Sequence, residues 1–437
     1  MLDRIRGYFD FEALGTNFRR EITAGITTFV SMSYIIAVNP AILKAAGVPP
    51  GPSMVVTIIV AIFGTLMMGL YAKRPFAVAP YMGENAFIAF TVIKVLGYRW
   101  QTAIGAVFLA GVLFVALTIA RVRQWLVEGV PPGLRYAFAV GIGLFLAFIG
   151  LNQAGIVAVG VAGAPVKVGA ITSAPVIVAI GGFLLISALM VWRVPASILI
   201  GIIATTFVAY FAGIASPPAS WMSLPPSPAP LVMQLDISGA FSWGFFGVLL
   251  SIFMMAFVDT MGTLVGLSAR AGFLDEHGNL PQIERPMLTD ALSTTLAGLL
   301  GTSTAGAFIE SAVGIDAGGR SGFTAVVTAA LFAMALFFSP FVVAIPAQAY
   351  SPALIVVGLL MIAPITKIDF SDYTELIPAF TVVALISFTY NIGIGVTGGF
   401  VLYPFFKVIS GRHREVRPGL WVLSLLSLLF FIFYPYT

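Results

Sequence analysis

The sequence predicts an all-α polytopic membrane protein of about fourteen transmembrane segments, arranged as two seven-segment halves in inverted orientation. Three observations carry that prediction. Hydrophobic residues make up 59% of the chain and charged residues 9%, whereas a soluble domain carries about 25% charge, so lipid rather than water must solvate most of the surface. Apolar stretches of crossing length recur from end to end. Two of them, in corresponding places, are interrupted by Gly, Pro and hydroxyl residues.

Composition also excludes several function classes. Cysteine is absent, which removes disulfide frameworks and thiolate metal sites. His277 and His413 are the two histidines and both fall in charged connecting segments, so neither a metal centre nor any other cofactor is expected. The net charge of +4 is what Lys and Arg collected on one membrane face produce, and no nucleic-acid partner is implied. Residues 1–20 are charged and amphipathic and lack the apolar core and cleavage site of a signal peptide.

Apolar segments are predicted near 22–39, 54–72, 80–96, 101–120, 134–151, 174–192 and 195–213, then near 241–266, 286–301, 308–317, 322–344, 351–366, 376–390 and 392–410. A further hydrophobic stretch, 418–435, is not explained by the two halves. The expected organisation is a cytoplasmic amphipathic N-terminus (1–20), a first repeat (21–215), an external Pro- and Ser-rich loop (216–240), a second repeat (241–411) and a C-terminal hydrophobic segment (412–437). Arg4, Arg6, Arg19, Arg20, Lys73, Arg74, Arg121, Arg123, Arg135, Arg270, Arg285, Arg412, Arg414 and Arg417 all fall on one side if every segment crosses once, while Lys44, Lys94 and Arg99 fall on the other. The positive-inside rule makes the first side the cytoplasm. The chain is thus expected in the cell (inner or plasma) membrane with its N-terminus inside. An odd number of segments per half inverts the second half, an architecture typical of secondary transporters.

The third segment opens Phe76-Ala-Val-Ala-Pro-Tyr-Met-Gly-Glu-Asn85-Ala-Phe and the tenth Gly301-Thr-Ser-Thr-Ala-Gly-Ala-Phe-Ile-Glu310-Ser. Pro80 and Gly83 in one, and Gly301, Gly306 and the Thr-Ser-Thr run in the other, favour extended backbone before a half-helix. Unwound backbone at membrane depth survives only where protein or a polar cavity surrounds it. The helix that follows turns its free N–H groups and positive dipole end toward the break. Paired breaks at equivalent places therefore point to a binding site at the midplane.

Acids inside segments mark function because a carboxylate at mid-helix costs about 2.5–3.5 kcal/mol on insertion scales. Asp259 lies within the eighth segment, Glu310 just past the second break and Asp290 early in the ninth. These three are the candidates for proton coupling. Glu84 reads either as part of the site or as a cap on its own helix. Asn85 offers a donor and an acceptor, which suits the edge of a heterocycle. No cation sits mid-segment near the breaks, so the site favours a neutral ligand with N–H donors over an anion. Asp316 and Arg320 read as a pair or loop feature at the cytoplasmic end of the tenth segment. Phe29, Tyr34 and Tyr81 read as packing; Phe87 and Phe308 flank the breaks, where a ring can stack on a planar ligand.

The run Glu21-Ile-Thr-Ala-Gly-Ile-Thr-Thr-Phe-Val-Ser-Met-Ser-Tyr-Ile-Ile-Ala-Val-Asn-Pro40 resembles the AzgA-like branch of the nucleobase–cation symporter-2 superfamily, the adenine, guanine and hypoxanthine permeases. Met82-Gly-Glu-Asn-Ala-Phe87, Asp259-Thr-Met-Gly-Thr-Leu264, Gly301-Thr-Ser-Thr304 with Ile309-Glu-Ser-Ala312, and Gly318-Gly-Arg320 are similar to that branch's signatures. The resemblance spans nearly the whole chain. It implies a core domain that holds the site, a gate domain that moves against it, purine import by proton symport, and often a homodimer. It also implies that Asn85, Asp259 and Glu310 serve substrate binding. Ala305, Gly306, Ala307 and Phe308 depart from the more polar or Tyr-containing stretch of many relatives, which places Ala305, Gly306, Phe87 and Phe308 among the residues that shape the pocket. The expected partners are thus a purine nucleobase, the coupling proton, the lipid bilayer and a second copy of the chain. Rival readings are a same-fold carrier of uracil, xanthine or an anion, an intramembrane aspartyl hydrolase using Asp259 and Asp290, and a channel. No Gly-x-Gly-Asp type motif precedes either Asp, and no repeated polar filter is present.

Overall fold

The computed structural model describes residues 2–120, 122, 129–161, 164–194, 196–242, 245–274 and 280–433. Arg121, Arg123 and His277, placed above in connecting segments, lie outside the described residues. Among those described, helices dominate: α1 (Leu2–Tyr8), α2 (Phe18–Met32), α3 (Ile35–Ala45), α4 (Pro50–Leu70), α5 (Met82–Ala86), α6 (Trp100–Ile119), α7 (Pro132–Gln153), α8 (Ala174–Val191) and α9 (Ser197–Phe211) precede the Pro/Ser-rich loop. After it come α10 (Phe246–Ala271), α11 (Glu284–Leu300), α12 (Ser311–Asp316), α13 (Gly322–Ala335), α14 (Ala347–Ile362), α15 (Tyr373–Thr389), α16 (Ile392–Ile409) and α17 (Pro418–Phe433). Nine helical stretches among the described residues are long and apolar enough to cross a membrane, and shorter apolar helices stand at Ser197–Phe211, Tyr373–Thr389 and Pro418–Ile432.

Both broken segments contain the extended backbone expected of them. β1 (Val78–Pro80) precedes α5 and β4 (Ala305–Ala307) precedes α12. They pair antiparallel, with Val78 opposite Ala307, Ala79 opposite Gly306 and Pro80 opposite Ala305. Each strand thus supplies the other's backbone partners, which is what irregular chain needs in a water-poor interior. A second hairpin, β2 (Val157–Val161) with β3 (Ala164–Val168), is exposed and occupies the stretch between the segments predicted at 134–151 and 174–192.

The helices sort into two groups. α2, α3, α4, α6, α10, α11, α12 and α13 pack around the strand pair, whereas α7, α8, α9, α14, α15 and α16 pack mainly on one another. α7 reaches α5 and α10 across the boundary, and α16 also packs on α10. α17, the stretch that the two halves leave unexplained, lies against α16 and α10. The first segment departs from its predicted form. It is interrupted at Ser33–Tyr34, between α2 and α3, and helix continues to Ala45.

Candidate functional site

Each strand is held by a hydroxyl from the segment before it. Thr65 of α4 donates to the Val78 carbonyl (3.1 Å) and accepts from the Val78 N–H (2.9 Å). Thr294 of α11 donates to the Ala305 carbonyl (2.8 Å) and accepts from the Ala305 N–H (3.2 Å). Further backbone groups are satisfied across the pair. The Tyr81 N–H donates to the Thr304 carbonyl and the Phe308 N–H to the Ala77 carbonyl, both at 2.9 Å. The Ser311 hydroxyl accepts from the Ala77 N–H (2.9 Å), and the Asp290 carboxylate from the Ala307 N–H (3.3 Å). Asp290 is buried and acts on the strand itself.

Around this frame the predicted residues converge. Asn85, on α5, is fully buried and donates to the Asn39 carbonyl of α3 (3.2 Å). Asn39 in turn donates to Thr57 (2.7 Å) and Thr302 (3.1 Å), so the first break is tied to the second through the first two segments. Asp259 of α10 is half-buried, and the Glu84 carboxyl of α5 faces it. Tyr81 faces Asp259 and Asp290. Glu310, at the start of α12, accepts from the Tyr34 hydroxyl. Phe87, Ala305, Gly306 and Phe308 are all buried beside the breaks, with Phe87 opening a π-helical run, Phe87–Val95, a form frequent at functional sites.

Buried polar atoms are normally hydrogen-bonded. Here the side-chain oxygens of Asn39 and Asn85, the Tyr81 hydroxyl, both oxygens of Glu84 and the hydroxyls of Ser303 and Thr304 are buried with no partner among the described residues. All of these belong to the two breaks or to the helix that links them. A planar polar ligand presenting donors and acceptors would satisfy them. On the helix face of Asp259, Gly262 has open space where a side chain would stand, Gly266 has little more than Ile309 near it, and Ile309 is itself 50% exposed.

Several residues had no functional role in the sequence reading. Tyr34 and Tyr81, expected as packing, carry hydroxyls into the site. Asn39 had no assigned role, and the Asn85 bond shows why it matters. Glu21 is fully buried and accepts from Thr16 (2.7 Å), the Ser321 hydroxyl (2.7 Å), the Thr324 hydroxyl (2.6 Å) and the Arg320 N–H (3.0 Å). It therefore pins the entry of α13 to α2. Asp316 pairs with Arg270 (2.7 and 2.5 Å) rather than with Arg320, whose guanidinium donates to the Ile315 and Gly319 carbonyls (2.6 and 2.8 Å).

Residues 19–401 match the model of the Permease family (Xan_ur_permease). The chain belongs to this family. It is a multi-pass membrane transporter and not an enzyme. The permease is 38% identical over 433 residues to the adenine permease AdeP of Escherichia coli (strain K12), covering 99% of this chain and 96% of that one. It is 40% identical over 431 residues to the guanine/hypoxanthine permease PbuO of Bacillus subtilis (strain 168), covering 97% and 99%. The transmembrane domain of a cyanobacterium bicarbonate transporter, BicA, matches the permease with a TM-score of 0.65 over 88% of this chain and 98% of that chain. At 16% identity, that likeness speaks for the fold alone.

Proposed function

We propose that this permease imports purine nucleobases (adenine, guanine and hypoxanthine) by proton symport with alternating access. The observation that carries the reading is the set of buried, unpartnered acceptors and donors on the two paired breaks, flanked by the Asp259 and Glu310 carboxyls. Relatives named as adenine and guanine/hypoxanthine permeases, alike over nearly the full chain, support the choice of cargo. Asp259 and Glu310 accept from ring N–H or exocyclic amino groups, the Asn85 oxygen and the strand backbone fix orientation, and Phe87 and Phe308 border the ring with Ala305 and Gly306. Asp259, Glu310 and Asp290 form the acid set of the coupling step, Asp290 acting through the strand that it holds.

In this reading the helices around the strand pair are the core and the α7–α9 and α14–α16 group is the gate, which rocks against it. Residues 21–215 and 241–411 are the two repeats, joined by the external loop 216–240, and 412–437 is an added segment. The protein sits in the inner or plasma membrane with residues 1–20 in the cytoplasm, and works as a homodimer. Uptake of labelled adenine, guanine and hypoxanthine into cells without purine carriers of their own tests the cargo, with unlabelled xanthine and uracil as competitors. Absence of saturable purine uptake would overturn it, and uptake indifferent to an uncoupler would overturn symport.

A further inference from the structure

Glu84 stands out among the acids of the interior. It is fully buried, and neither carboxyl oxygen has a hydrogen-bond partner among the described residues. The group that faces it is a second carboxyl, Asp259 of α10. The elements packed against α5 are α3, α7, α10 and the π-helical run. Their other charged or titratable groups include Lys44, Lys94 and Arg270 in last turns, and Arg135 and Tyr136 in the first turns of α7. Tyr34, beside α3, is engaged by Glu310. Among the described residues, no cation acts on Glu84.

We propose that Glu84 and Asp259 hold one proton between them and that Glu84 is the residue that carries the coupling proton. The proposal rests on the proton-coupled purine reading above and adds Glu84 to its acid set, as the place where the proton rests while ligand is bound to Asp259. Two facing carboxylates in a water-poor interior repel, and a single shared proton removes the repulsion. Asp259 is the more accessible partner, half-buried on the helix face that carries Gly262 and Gly266, where space is open; Glu84 is fully buried. A ligand N–H bonded to Asp259 favours its ionised form, which drives the shared proton onto Glu84. The one proton that the empty pair takes up from outside is thus held on Glu84 while ligand is bound, and it leaves past Asp259 to the inside only after the ligand has gone, so ligand and proton cross together.

The test uses full-length protein in liposomes, with labelled adenine and hypoxanthine and an internal pH dye. Wild type is expected to show purine-driven proton influx and accumulation under an imposed pH gradient. Glu84→Gln, which mimics the protonated member, is expected to lose the proton influx and the accumulation while still exchanging internal for external purine. Exchange also reports that the variant is folded, and Glu84→Ala serves as a second variant. Coupled influx in both variants overturns the assignment alone. Loss of exchange in both, in protein that elutes as a single species, makes Glu84 a binding or structural residue and also overturns it. Purine uptake by wild type with no proton movement overturns the symport reading and, with it, this one.

Discussion

Thr65 and Thr294 occupy equivalent places in the two halves, one on the helix before each break, and each closes both backbone groups of a single strand residue, Val78 or Ala305. The two halves approach from opposite sides, so their strands meet antiparallel. This is the local form that an inverted repeat takes at its centre. The equivalence also explains why so short a ladder persists: a three-residue strand pair has few bonds of its own, and each end is closed by a side chain that is itself buried.

Thr65→Val and Thr294→Val should therefore each destabilise the protein by about 2 kcal/mol, because valine keeps the shape but leaves a buried N–H and C=O unsatisfied. The double variant should depart from the sum of the two, since both act on one strand pair. Thermal unfolding in detergent, compared across the three variants, checks this. Additive, sub-kilocalorie losses would mean that the strand pair does not depend on these hydroxyls.

Tyr34→Phe removes the donor to Glu310 while keeping the buried ring. A hydrogen bond to a charged group contributes about 1.5–3 kcal/mol, so the expected outcome is a rise in the KM for purine of about tenfold or more. Fold and expression should be preserved. Initial uptake rates over a range of purine concentrations measure it, and an unchanged KM would separate Glu310 orientation from substrate recognition.

The breaks were legible because glycine, proline and hydroxyl runs interrupt apolar segments, and lone acids in lipid-length helices stand out whatever their partners. What was not legible was pairing. Tyr34 and Glu310 are 276 residues apart, and Glu21 meets Ser321 across 300. Nothing in the local periodicity of α2 separates a buried carboxylate that caps a distant helix from one in a charged N-terminal run. Tyr34 and Tyr81 fit an apolar pattern equally well as packing residues, since a phenol's hydroxyl becomes consequential only once a carboxyl stands opposite it. Glu84 reads as cap or as site for the same reason, because its neighbour Asp259 comes from the other half.

Gly306 shows a packing constraint of a different kind. A Cβ built there would collide with the Tyr81 hydroxyl and also lie 2.6 Å from Tyr81 Cζ and 2.7 Å from Cε2. Gly306→Ala therefore cannot be absorbed by a rigid ring lodged between the breaks. Overpacking of this kind costs about 1–3 kcal/mol, and the strand pair should shift with it. Lowered thermal stability and loss of purine uptake are expected together. Tyr81→Phe in the same chain should not restore stability, because the clashing ring carbons remain, whereas Tyr81→Ala should. Restoration by Phe would place the conflict at the hydroxyl instead.

The charged cluster where α15 begins and α16 ends has its own pH behaviour, separable from that of the site. Arg412 donates to Asp372 (2.6 Å) and to Glu415 (2.7 and 2.9 Å), and the fully buried Lys407 contacts Glu415 and Glu375, both at 2.9 Å. Hydrogen bonds from Arg412 and then Lys407 hold the Glu415 carboxyl down at about 2. The Thr374 hydroxyl, followed by Arg412, holds Asp372 well below the usual carboxylate range. A depressed carboxyl stabilises the fold above its unfolded value, about 4 for Glu and Asp, and that contribution is lost only as pH falls toward the folded value. Glu415 and Asp372 therefore stay ionised throughout the range from about 5 to 8. Titration of Glu415 and Asp372 contributes no pH dependence of transport in that range. Arg412→Ala is expected to lower thermal stability by the same amount at both ends of the range and to leave the pH profile of purine uptake where it is in wild type. A displaced profile in that variant would show that the cluster feeds protons to the site.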